Sequence, residues 1–383
     1  MYKSLQACRG FAALMVVFYH VRGAISQPKY FGTSTFGDAF VFGGGAGVDF
    51  FFVLSGFIII WIHAKDFGQP QRLGAYLVKR AVRIYPTYWI IFGAVCAAAM
   101  VVPALRQTLP GDPWVLLKAL LLVPDGSAVA GSTGAPVITV AWSLQFEVLF
   151  YALIALAIVS PRAGLFAIAL WALNFMACRN VCTFPLSFFA NFRILLFLLG
   201  GLVAWLSAAT ASMPVAHAAG NSRGQARLAP WVDRAALALG VSCFIAGATW
   251  ETLGHEDVNI GTQHVIVSML TLLYGLGSAL VIFGVVKAED RGRVWGGQPA
   301  LQILGGASYA LYLIHYPLVS LVIRVAIWSG MHGAGGALLV FALAVCASVA
   351  VAVLFHLRVE RPMLRAINAW RWPMAGAISN RRF

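Results

Sequence analysis

Residues 9–20 read RGFAALMVVFYH, a helix-length apolar run closed by an arginine at one end and a histidine at the other. With its flanks the run covers about residues 6–24, which is long enough to cross a bilayer as a helix. Nine further runs of the same kind lie at about 40–63, 84–104, 138–159, 163–179, 185–207, 231–250, 262–286, 301–326 and 335–356. Helices satisfy every backbone group inside lipid, so the chain is read as an all-α integral membrane protein of ten spans. Composition agrees. Of 383 residues, 10% are charged and 61% apolar, against about 25% and 45–50% in a soluble domain. The stretch WVLLKALLLVP at 114–124 is too short to span and carries Lys118, and it reads as an interfacial or re-entrant segment.

Orientation follows from the 27 lysines and arginines. With both termini cytoplasmic, 20 of them fall on cytoplasmic segments or helix ends, while the outer loop at 251–261 holds Glu251, Glu256 and Asp257 and no lysine or arginine. The net charge of +14 is then explained by topology and by anionic lipid headgroups, and nucleic-acid binding is not indicated. Arg22 and Gly23 follow the first apolar core without an A-x-A cleavage pattern, so that span is expected to be retained. No linker divides the chain. It reads as one transmembrane domain over 1–365 with a basic cytoplasmic tail at 366–383 and a cytoplasmic loop at 208–230. The cluster FGGGAG at 42–47 reads as close helix packing. Six cysteines are scattered without a CxxC, and Cys178 and Cys182 are expected to be ordinary thiols rather than a bridge.

Ionisable groups inside a span are costly, and each is a site candidate by default. Arg9 and His20 are eleven residues apart, almost three turns, which places them on one helix face about 16 Å apart with Ala13 and Val16 between. That face describes a narrow groove; the bland alternative is a snorkelling arginine and a histidine bonded to a neighbour. Asp49, in GVDFFFVLSGF, either orients His20 or ties two helices together. Arg80 and Arg83, in the predicted loop segment YLVKRAVRIYPTYW, are one turn apart beside Lys79 and suit phosphate oxygens, although cytoplasmic anchoring alone also accounts for them. Thr139, Ser143, Glu147 and Tyr151 recur every fourth residue as a polar stripe, in which Glu147 is either a reactive group or half of a buried pair. Ser308, Tyr312 and His315 share one side of the ninth span, with Pro317 placed to bend it. His315 and His20 both lie about fourteen residues into their spans, at similar depth, which suggests one polar chamber. Arg193 and Arg324 are further in-span charges without an assigned role.

In this order, LQACRGFAALMVVFYH, GVDFFFVLSGF, KRAVRIYPTYW, AWSLQFEVLFY and SYALYLIHYPLV resemble the motifs of the membrane acyltransferase-3 family, bacterial enzymes that O-acylate envelope and secreted glycans. The resemblance covers nearly the whole chain and is nearest the stand-alone exopolysaccharide branch. It implies a multi-pass protein of the bacterial inner membrane that moves an acyl group, acetyl by default, from cytoplasmic acetyl-CoA or another acyl-CoA to a hydroxyl of a glycan or lipid-linked sugar, without a metal. It further implies His20 as the central catalytic group and donor binding by Arg9, Arg80 and Arg83, with Glu147 and His315 at family motif positions; joined to the residues read above, the expected site has His20, Glu147 and Asp49 as catalytic groups and Trp142, Ser143, Tyr312 and His315 as substrate-binding ones. The competing class is a transporter or flippase of lipid-linked sugars, in which in-span charges are also natural.

Overall fold

The computed structural model describes residues 2–32, 43–126, 134–178, 182–210, 229, 231–252 and 260–375. Among them every regular element is helical, and ten helices are long and apolar enough to cross a membrane. They are α1 (Lys3–Ile25), α2 (Ala46–His63), α3 (Leu73–Val101), α5 (Trp142–Val159), α6 (Pro161–Cys178), the broken pair α7 (Leu186–Phe189) and α8 (Ile194–Ala209), α9 (Val232–Thr252), α10 (Ile260–Asp290), α11 (Pro299–Trp328) and α12 (Gly333–Phe355). A short α4 (Pro113–Leu120), capped by Asp112, occupies the stretch judged too short to span. After α12 a π-helical turn at His356–Glu360 leads into α13 (Arg361–Ala375), so the chain is helical across position 365. Most of the predicted loops at 208–230 and 251–261, and the tail beyond 375, lie outside the described residues.

Two close backbone contacts set the centre of the bundle. A Cβ on Gly10 would meet the Gly305 nitrogen at 3.1 Å, and one on Gly305 would meet the Gln6 carbonyl oxygen at 1.9 Å. No side chain fits there, so α1 and α11 touch backbone to backbone. The same device joins α2 to α8, where Gly56 faces the Phe197 carbonyl oxygen and Gly200 the Val53 carbonyl oxygen, each within 2.0 Å of an added Cβ. Gly47, from the glycine cluster, packs on Ala12 and Val16 of α1, as expected.

The start of α1 is held from outside. Glu289, in the last turn of α10, accepts hydrogen bonds from the Lys3 nitrogen (2.9 Å), the Ser4 nitrogen (2.8 Å) and the Ser4 hydroxyl (2.6 Å). These amides belong to the first helical turn and have no partner within α1, and a carboxylate complements the positive end of the helix. Asp233, on α9 and buried, accepts from Arg291 at 2.7 Å and Arg293 at 2.8 Å, tying the chain just after α10 to α9.

Several expectations change. The third span begins at Leu73 rather than about 84, so Arg80 and Arg83 stand on a helix and not in a loop. Hydropathy trims charged turns from a span, but nothing between Leu73 and Arg83 breaks a helix. The sixth span is interrupted at 190–193, where the Asn191 side chain accepts from the Arg193 nitrogen at 3.0 Å and competes with the helical ladder. Cys178, in the last described turn of α6, and Cys182 form a disulfide instead of two free thiols, because their Cα atoms lie 4.9 Å apart, a separation that a disulfide spans.

Candidate active site

A cavity of about 410 Å³ opens among α1, α2, α3, α5 and α11. Toward the Lys3 end of the bundle it is lined by Arg9, Lys79, Arg80 and Arg83, and among the described residues Glu147 is its one carboxylate. Helix geometry explains the cluster. Arg80 and Arg83 share a face of α3 one turn apart, and Arg9 sits only six residues into α1, about 9 Å deep. Among the described residues none of the four cations makes an ion pair. The Arg80 guanidinium lies over the rings of Tyr76 and Tyr151, at 5.9 and 5.7 Å, and that of Arg83 over Tyr309 at 5.3 Å. Aromatic faces hold a cation without neutralising it. The buried Arg80 Nε and the buried Ser308 hydroxyl have no hydrogen-bond partner among the described residues, and both residues line the cavity. Such atoms are satisfied when a polar ligand enters.

Glu147 is held rather than loose: Ser55 donates to Oε1 at 3.0 Å, and the Tyr151 hydroxyl donates to the same oxygen. The polar stripe of α5 therefore faces the cavity through Ser143, Glu147 and Tyr151, whereas Thr139 precedes the helix and lines a second cavity. At the deep end, Val48, Phe51, Phe52 and Leu144 form an uncharged wall beside Ser143 and Tyr312, whose hydroxyls lie 2.8 Å apart. Ser55, Lys79 and Tyr309 join the lining although no role was expected of them. Ser55 was signalled as the one hydroxyl in the apolar interior of its motif.

Beyond Tyr312 the two histidines meet. His315 Nε2 lies 3.1 Å from His20 Nδ1, the His20 Nδ1 is 3.0 Å from the Val16 carbonyl oxygen, and the His315 Nδ1 is 3.0 Å from the Leu311 carbonyl oxygen. The contact follows from register: α1 and α11 run parallel from the Gly10–Gly305 contact, and each histidine stands ten residues further along. His315 is fully buried at 0% exposure, so it cannot touch a substrate as placed, contrary to the expected substrate-binding role. His20 is half-buried and does not line the cavity. The expected groove between Arg9 and His20 is closed as well, because Ala13 and Val16 are packed in the core. Apart from Arg9 of α1, the cavity wall comes from α2, α3, α5 and α11, with Tyr312 standing between its deep end and His315 at 5.9 Å ring to ring. A second, largely apolar cavity of about 740 Å³ reaches the other side of α11, where Tyr316 lies 5.4 Å ring to ring from His20.

Asp49 does not orient His20. Its carboxylate is bonded to Arg193 Nε at 3.2 Å, so of its two readings the structure realises the helix tie. Trp142 lies outside the first cavity too, packing on Phe52 and Phe146 and beneath the Arg193 guanidinium at 5.2 Å. Arg324 is exposed and reaches Ser320 on its own helix. One buried group had no sequence signal: Glu360, in the π turn, takes the Thr87 hydroxyl at 3.3 Å and His356 at 2.6 Å.

Ten membrane-length helices around a cation-lined cavity and a histidine pair define a multi-pass membrane protein with a polar chamber inside the bundle. The chain belongs to the acyltransferase-3 family, whose model, described as "Acyltransferase domain", matches residues 2–357. It is therefore a membrane acyltransferase. Among relatives, it is 30% identical over 340 residues to the exopolysaccharide production protein ExoZ of Rhizobium meliloti (strain 1021), covering 86% of this chain and 92% of that one. It is 27% identical over 404 residues to the acyltransferase MdmB of Streptomyces mycarofaciens, covering 98% and 94%. No solved structure matches it.

Proposed function

We propose that the protein transfers an acetyl group from acetyl-CoA to a hydroxyl of an exopolysaccharide or its lipid-linked precursor, in a bacterial inner membrane with the Lys3 end cytoplasmic. The observation that carries this reading is the cavity itself: four cations toward its Lys3 end, without an ion pair among the described residues, and an uncharged wall at its deep end, next to the histidine pair. Arginine forks suit the phosphates of the donor, and the thin pantetheine arm would run along the cavity beyond them toward Tyr312. The deep wall of Val48, Phe51, Phe52 and Leu144 has no cation to receive a terminal carboxylate, which favours acetyl over succinyl. The disulfide at the end of α6 opposite Lys3 is consistent with an oxidising outer compartment. Likeness to the exopolysaccharide production protein supports a glycan acceptor.

In this mechanism the acceptor approaches His20 from the side of Tyr316 and the second cavity, while the thioester comes past Tyr312. Neutral imidazole takes the hydroxyl proton as the oxygen bonds to the acyl carbon. The carbon–sulfur bond then breaks, and the proton passes to the departing sulfur. The alternative is an acyl-histidine intermediate, in which Nε2 bonds to the acyl carbon as the carbon–sulfur bond breaks, and the acceptor oxygen, losing its proton, then bonds to that carbon as the carbon–nitrogen bond breaks; acylated enzyme trapped without acceptor would reveal it.

The decisive test is His20→Ala in membranes holding equal amounts of folded protein. Transfer should fall by about 10²–10⁴-fold, the usual contribution of a general base, while acyl-CoA still binds. Undiminished transfer would falsify the mechanism. Mass spectrometry of envelope and secreted glycans, with and without the protein, identifies the acyl group and its acceptor.

A further inference from the structure

We propose that His315 is a positioning residue that fixes the tautomer of His20, keeping the hydrogen on Nδ1 so that Nε2 is the free base. This rests on the reading of His20 as the base. The contacts leave one consistent arrangement of hydrogens. His315 Nδ1 faces the Leu311 carbonyl oxygen at 3.0 Å. A carbonyl only accepts, so Nδ1 carries the hydrogen, and in the neutral ring Nε2 carries a lone pair. That lone pair points to His20 Nδ1 at 3.1 Å, which also lies 3.0 Å from the Val16 carbonyl oxygen. Both neighbours of His20 Nδ1 accept, so it holds the hydrogen, shared between them, and Nε2 is left bare. The opposite tautomer of His20 would set acceptors against one another with no hydrogen between, an arrangement that protein interiors disfavour.

A carbonyl one turn back, such as Val16, is within reach of many helical histidines. His315 adds what the helix alone lacks, a second acceptor that is itself held in place. It is fully buried, tied to Leu311, and flanked by the rings of Tyr312 at 5.9 Å and Tyr316 at 6.5 Å. When His20 takes the acceptor's proton on Nε2, the bond from its Nδ1 to His315 becomes charge-assisted and stabilises the imidazolium as it forms. His315 exchanges no proton in the step: the acceptor O–H bond breaks, Nε2 gains that proton, and His315 is unchanged. The part that an acidic residue plays for other catalytic imidazoles is taken here by a neutral ring, since Asp49 is bonded to Arg193 and Glu147 to Ser55 and Tyr151.

Three substitutions in the full-length protein test this, each assayed for transfer alongside His20→Ala. In His315→Gln the side-chain carbonyl oxygen reaches the former Nε2 position and can accept from His20. In His315→Asn the amide reaches only the former Nδ1 position, so it satisfies Leu311 and offers His20 nothing. The expected result is a kcat about 10–100-fold lower for His315→Ala and His315→Asn, with KM for acetyl-CoA within about twofold, and recovery of most of that loss in His315→Gln. If His315→Ala does not fold, the Asn and Gln variants decide, because both fill the site. Asn transferring as well as Gln, or Ala matching the unmodified protein while His20→Ala is inactive, overturns the positioning role. Transfer by His20→Ala at the normal rate overturns the base reading, and this inference with it.

Discussion

Arg193 and Arg80 both hold their guanidinium groups against aromatic rings at the edges of the same bundle, yet they are satisfied in opposite ways. Arg193 lies 5.2 Å over Trp142 and gives its Nε to Asp49. Arg80 lies over Tyr76 and Tyr151 with its Nε buried and unbonded among the described residues. A charge in a span is a site candidate by default, and the contrast shows what separates the two outcomes. Where a carboxylate from another helix closes the pair, the charge is spent on holding helices together. Where only aromatic faces support it and a cavity lies in front, it remains available to an anion.

One effect expected from this contrast is on folding. Asp49→Asn leaves Arg193 without its counter-charge, and breaking a buried pair this way costs about 3–5 kcal/mol. Because the Arg193 side chain is 31% exposed, about 2 kcal/mol is expected, read as a lower unfolding midpoint in detergent with acetyl-CoA affinity unchanged. Adding Arg193→Gln to Asp49→Asn should restore part of that stability, since no lone charge then remains. If Asp49→Asn instead weakens donor binding at unchanged stability, the contrast collapses.

Arg80→Ala combined with Arg83→Ala should do the reverse. Acetyl-CoA binding is expected to weaken about 10–100-fold, or about 1.4–2.8 kcal/mol, with little change in unfolding midpoint. Lysine at both positions should give an intermediate affinity, because it keeps the charge and loses the fork. Titration calorimetry showing equal affinity in the alanine pair would reject the donor assignment. The smallest effect is Glu289→Gln, which weakens the cap on α1 and should lower stability by about 1 kcal/mol. Transfer per folded molecule should stay the same, and a lower rate at full folding would mean that Glu289 does more than anchor.

Much of this was legible because helices repeat. The spacing of Arg9 and His20, the stripe through Ser143, Glu147 and Tyr151, and the matched depths of His20 and His315 all follow from 3.6 residues per turn. What was hidden depends on partners far along the chain. Asp49 reads the same whether it meets His20 or Arg193, and Arg193 is 144 residues away. Packing hid the rest: Ala13 and Val16 lie on the expected face, but Gly47 brings α2 against that side of α1 and closes it. The break before α8 turned on a local side-chain bond, Asn191 accepting from the Arg193 nitrogen, inside a run whose hydropathy reads as one span.

The glycine contact between α1 and α11 carries one more consequence. The two histidines are 295 residues apart in the chain, and what aligns them is a count, ten residues from Gly10 to His20 and ten from Gly305 to His315. One residue inserted after Ala13 would advance His20 by about 1.5 Å and swing it by about 100°, parting the rings although every side chain is still present. In this pair of helices chain length acts as a reagent, and a deletion or insertion between glycine and histidine is as damaging as replacing the imidazole.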